Sequence, residues 1–122
     1  MLEENFTFDF ERLKVYQKAL SFTNEIFKVT LEFRWEYQDS LGDQFRRAAL
    51  SVCNNIAEGS QKQGKAKIQF YGFALNSARE CVPMISIANT QNQINSLKEK
   101  YLQNECIEIS KMLYRLSGSV QF

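Results

Sequence analysis

Histidine does not occur in this sequence of 122 residues. Its absence removes the Ser-His-Asp and Cys-His nucleophile pairs and every histidine metal ligand. Cysteine is scarce: Cys53, Cys81 and Cys106 are odd in number and widely spaced, with no C-x-x-C pair. That argues against a disulfide framework and a zinc site, and for three small core residues in a reducing cytosol. Proline occurs once and glycine five times, so helix breakers are few. No run approaches the roughly 18–20 apolar residues of a membrane span. The opening Met-Leu-Glu-Glu-Asn is acidic and lacks the basic region and apolar core of a secretory leader. A cytoplasmic protein without membrane contact is expected. Large net charge is also missing: at +1 the chain has no global field for nucleic acid or anionic lipid. Carboxylates and lysines remain as possible catalysts, but none stand at suggestive spacing. No enzymatic activity, catalytic residue, metal or cofactor is expected.

What the chain does have is apolar residues at helical spacing almost throughout. An apolar fraction of 44% and a charged fraction of 24% suit one soluble domain over residues 1–122. The spacing predicts helices at about 10–31, 40–58, 66–89 and 97–116. Short connectors join them, so the expected fold is all-α, an antiparallel up-down-up-down four-helix bundle. Asp9 should cap the first helix, Asp39 or Ser40 the second, and a Ser96-x-x-Glu99 box the fourth. Gly59 should stop the second helix in the left-handed conformation, and Pro83 should kink the third.

The first helix carries two neighbouring apolar stripes. One is Leu13, Tyr16, Leu20, Phe27 and Leu31; the other is Val15, Ala19, Phe22, Ile26 and Val29. Packing on one layer needs an apolar arc of a little over 100°, and two stripes exceed it. Either this helix is deeply wedged in its own bundle or one stripe meets another subunit, and the second stripe is the candidate subunit interface. Asn55 interrupts the apolar face of the second helix, and Ser77 and Glu80 fall near that of the third. Buried polar groups need partners, so Asn55, Ser77 and Glu80 are expected to meet, with Arg46 or Arg47 as the positive partner. Glu58 opposes the helix dipole and calls for a neighbouring cation. Charge is uneven locally. Residues 1–11 hold Glu3, Glu4, Asp9 and Glu11 with no lysine or arginine, and Lys62, Lys65 and Lys67 follow Glu58 without an acid between.

"FERLKVYQKAL", "QFRRAALSVCNNIAEGS" and "FYGFALNSARE" together resemble a known family. Its members are four-helix-bundle proteins first noticed as reading frames in intervening sequences of bacterial 23S ribosomal RNA genes. The matching positions are Phe10, Leu13, Val15, Tyr16 and Ala19; Arg46, Arg47, Ala48, Ser51, Asn55, Ile56, Ala57, Glu58 and Gly59; and Ala74, Ser77 and Glu80. The resemblance implies a bundle that assembles as a ring, a homopentamer, without enzymatic activity. It also implies kinship with the accessory protein of diversity-generating retroelements, a basic barrel that binds nucleic acid beside a reverse transcriptase. An RNA or ribonucleoprotein partner would then be met by Arg46, Arg47, Lys62, Lys65 and Lys67, provided these gather on one face.

Overall fold

A computed structural model describes residues 7–121. Four α-helices carry it: α1 Lys14–Leu31, α2 Asp43–Ser60, α3 Gly64–Thr90 and α4 Ser96–Gly118, with no strand among the described residues. Successive helices pack side by side, and α4 closes the bundle against α1. Paired contacts fix the directions. Lys18 meets Glu105 and Glu25 meets Lys98, so seven residues up α1 match seven residues down α4, and the two run antiparallel. Thr23 Oγ1 sits against the Ala49 carbonyl and Cys53 Sγ, at 3.1 and 3.2 Å, which fixes the face that α1 turns to α2.

The core holds Phe22, Ile26, Phe45, Val52, Ile56, Ile85, Leu102, Ile109 and Leu113. All three cysteines are free and buried. Val15, Ala19, Phe22, Ile26 and Val29 lie inside this core, which corrects their assignment to a subunit interface. They are already spent on α2 and α4; of the other stripe Leu20 and Leu31 face outward, while Leu13 and Tyr16 pack half-buried against the core.

Helix ends depart from expectation in instructive ways. Asp9 caps nothing: Asp9–Arg12 is a 3-10 turn, Leu13 is extended, and α1 begins at Lys14. Asp39 and Ser40 likewise sit within a π-turn, Gln38–Gly42, that runs into α2 through a helical Gly42. Gln38 holds this junction. Its Nε2 donates to the Thr30 and Phe33 carbonyls at the end of α1, and the Arg46 guanidinium donates to the Gln38 carbonyl at 3.1 Å. The Thr30 carbonyl also accepts from the Phe33 amide at 3.1 Å, and Phe33 lies just past the helix, so one amide side chain ties the end of α1 to the turn that leads into α2.

Gly59 does not stop α2, which continues through it to Ser60. The left-handed residues are instead Gly64, which opens α3, and Asn92, which follows it. The cap of α4 is shifted by one residue: Asn95 Oδ1 accepts from the Lys98 amide at 2.7 Å, and Ser96 is the first helical residue. Pro83 lies on the exposed side of α3, which runs through it as one helix.

Candidate functional site

The polar residues that interrupt the apolar faces converge on the groove between α2 and α3. Ser51 is their hub. Ser77 Oγ donates to Ser51 Oγ at 2.8 Å, and Asn55 Nδ2 lies 3.0 Å from the same oxygen and 2.9 Å from the Ser51 carbonyl. Asn55 and Ser77 therefore meet as expected, but through a serine rather than directly. Ser51 sits one turn before Asn55, a spacing that puts both side chains on one face. That spacing was the available signal for it. Glu80 stays outside this set. It is exposed and lines the mouth of a groove of about 420 Å³ with Gln44, Arg47, Ala48, Ser51, Ser77 and Met84.

Removing the hub strands two partly or fully buried groups. Ser51→Ala is expected to cost about 1–2 kcal/mol, since buried donors and acceptors lose their partners, while Glu80→Gln should change stability by less than about 0.5 kcal/mol. Urea unfolding midpoints of the two variants decide it; equal small effects would dismiss the network as decoration.

Neither arginine serves Asn55. Arg46 is spent on Gln38, and Arg47 Nε pairs with Asp43 at 3.0 Å. Lys62 Nζ stands 3.8 Å from Glu58, which supplies the cation that Glu58 calls for. Both are solvent-exposed enough to make the pair weak. Lys67 Nζ donates to the Ser60 carbonyl at 3.3 Å, and Lys65 is exposed. The five basic residues do not form one patch. Arg46 and Arg47 lie near the start of α2 and the lysines beyond its end, about 20 Å away at 1.5 Å per residue.

A different basic cluster appears only in three dimensions. Arg79 of α3 and Lys111 and Arg115 of α4 line a groove of about 400 Å³ with Leu75, Ser110 and Tyr114, and no carboxylate lines it. Sequence reading missed it because Arg79 and Lys111 belong to segments that only antiparallel packing brings level.

Two of the thiols are set against acting as nucleophiles. Burial pushes the Cys53 thiol up, against the lowering effect of its hydrogen bond with Thr23. The Cys81 thiol is pushed up by its hydrogen bond with Cys106 and by burial. A thiol that holds its proton does not attack. Among the described residues no group of three or more acidic or cysteine side chains is placed to hold a metal ion, and no helix is long and apolar enough to cross a membrane.

The outward stripe of α1 leaves apolar side chains in water. Leu20 and Leu31 are 42% and 73% exposed, and Leu50 of α2 is 42% exposed. Phe27 is one turn past Thr23 and Tyr16 two turns before it, on the side of α1 turned to α2. Phe10 meets the Tyr16 ring edge-on with centroids 5.0 Å apart, and Phe8 stacks on Phe10. The strip thus runs the length of the α1–α2 face.

The family model described as 23S rRNA-intervening sequence protein matches residues 11–115. Among solved structures, a protein of unknown function from the S23 ribosomal protein family of Bacteroides thetaiotaomicron is similar at 21% identity. That likeness has a TM-score of 0.74 and covers 86% of this chain and 96% of that one. At this identity the likeness speaks for the fold. No curated protein matches the chain.

Proposed function

This chain belongs to the family of 23S rRNA-intervening sequence proteins, and from that premise we propose that it is a self-assembling, non-enzymatic helical module. The observation that carries the reading is the apolar strip on the α1–α2 face, with Leu31 at 73% exposure. Large contiguous apolar patches on a folded domain mark contact sites. The strip holds Leu20, Phe27 and Leu31 of α1, with Tyr16 half-buried against the core beside them. The resemblance implies a homopentameric ring, which is the assembly proposed. Three buried thiols suit a cytoplasmic setting.

The alternative, contact with RNA or a ribonucleoprotein through Arg46, Arg47, Lys62, Lys65 and Lys67, draws less support. Arg47 and Lys62 lie beside intrachain carboxylates that partly offset their charge, and the set is split between the two ends of α2.

Light scattering is expected to give a multiple of the chain mass, five for the ring. Leu20→Glu/Leu31→Glu should reduce it to one chain with the helical circular dichroism retained, because two charges would be buried without partners. A wild-type protein with the mass of one chain overturns the proposal.

A further inference from the structure

We infer that the pocket at the end of the bundle where α3 begins binds a small carboxylate with an apolar body. Its carboxyl group is held by Lys67, the Tyr71 hydroxyl and the first turn of α3. The inference does not depend on the self-assembly proposed above, because neither Leu20 nor Leu31, on which that reading rests, lines the pocket.

The pocket has a volume of about 440 Å³. Lys67, Tyr71 and the Gln63–Gly64 junction contribute polar lining, and Leu13, Leu116 and Val120 apolar lining. None of its lining residues is acidic. Nor is any in the adjoining depression, which shares Leu13 and Leu116 and adds the cations Lys14 and Arg115. The local charge therefore favours an anion.

Tyr71 carries the inference. It is 3% exposed, yet its hydroxyl hydrogen-bonds to no other residue. No side-chain oxygen or nitrogen of the described residues is both sealed from solvent and unpaired, so the hydroxyl is the part of Tyr71 that reaches the pocket. Hydroxyls of buried residues are as a rule paired, and this one is left open to whatever enters. Burial pushes its pKa up, so it holds its proton and donates. Lys67 stands beside it, half-buried, with Nζ 5.9 Å from the Tyr71 ring centroid. That ammonium donates to the Ser60 carbonyl at 3.3 Å, and among the described residues it pairs with no carboxylate.

The start of α3 adds to these donors. The first amides of a helix have no intrahelical acceptor and carry the positive end of its dipole. Gln63 makes no side-chain capping bond and the first turn holds no acid, so these amides keep their capacity to donate. One ammonium among neutral donors balances a single negative charge, which favours a carboxylate over a doubly charged phosphate. Leu13, Leu116 and Val120 match an apolar body rather than a second charge, the usual division of labour in a small-molecule site.

The test uses hexanoate as the probe, with hexanol and inorganic phosphate as comparisons, and follows the backbone amides of Gly64 to Lys67 by NMR. Hexanoate should shift them saturably with a Kd of about 1 mM, the scale of so small a ligand. Tyr71→Phe and Lys67→Met should each weaken binding about fivefold or more, since each removes a hydrogen bond to a charged group. Tyr71→Phe should keep the wild-type thermal midpoint, because its hydroxyl has no partner in the protein to lose. Lys65→Met should bind as wild type, since Lys65 does not line the pocket. Several results overturn the inference: no shift at about ten times the expected Kd, hexanol or phosphate binding as tightly as hexanoate, or wild-type affinity in either the Tyr71 or the Lys67 variant. Any of them leaves the self-assembly reading standing, because that is read separately from the mass of the wild-type protein.

Discussion

Phe22→Ala should cost about 3–5 kcal/mol of folding stability, the usual range for emptying a buried aromatic site. Phe22 is among the largest fully buried side chains, enclosed with Ile26, Phe45 and Ile56 in one core. A domain of this size has about 5–15 kcal/mol in all, so the variant should lose a large share of its stability. Leu31→Ala should change the stability of the isolated chain by less than about 0.5 kcal/mol, because its side chain already faces water. Urea unfolding at two protein concentrations separates the roles. The Phe22→Ala loss should persist when the protein is dilute, while any Leu31→Ala loss should vanish on dissociation. A Phe22→Ala protein that keeps its dilute-state stability and loses only its assembly would return that stripe to the subunit interface and contradict the structure.

Gly59→Ala is the second case, and its sign is informative. Alanine is better than glycine in a helix by about 1 kcal/mol, so an unhindered site would gain. A Cβ at Gly59 would lie 2.7 and 2.8 Å from Tyr71 Cδ1 and Cε1 and 3.2 Å from Phe70 Cβ. Tyr71 is itself buried and cannot swing clear. Overpacking of this kind costs about 1–3 kcal/mol or more, so Gly59→Ala should lose about 1–2 kcal/mol net, and Gly59→Leu about 3. Gly72 is the internal control: it also lies within a helix, and a Cβ there meets nothing within 4 Å. Gly72→Ala should therefore stabilise by about 0.5–1 kcal/mol. Thermal melts of the three variants check this. Gains at both glycines would mean that α2 and α3 do not approach closely at Gly59.

The same residue shows how a correct position can carry a wrong role. Glycine after the apolar run of α2 looked like a stop, because local pattern knows only the chain on either side. What occupies the position is the Tyr71 ring from α3, twelve residues on, and no local rule contains it. Asn55 and Ser77 were legible as polar interruptions, and the family motif marks Ser51 as well. Their joint hydrogen bonding needed the register of α2 against α3, as did the exclusion of Glu80. The caps were legible to within a few residues at best, since Asp9, Asp39 and Ser40, and Ser96 are all plausible caps by type. Asn95 caps α4 by a local bond to the Lys98 amide, whereas Gln38 finds the Thr30 and Phe33 carbonyls only because the chain folds back there.

The sequence by itself determined the number, order and approximate extent of the four helices, their antiparallel arrangement through short connectors, and the family to which the chain belongs. Periodicity and motif spacing are local quantities, and one strand of text holds them completely. Only the tertiary structure decided which apolar stripe of α1 enters the core, why Gly59 has no side chain, and that Arg79, Lys111 and Arg115 share a groove. Each of those depends on which direction a neighbouring helix comes from. Two stripes on one helix are equivalent until α2 and α4 take one of them. Distant cations are unrelated until antiparallel packing of α3 and α4 brings them to the same height.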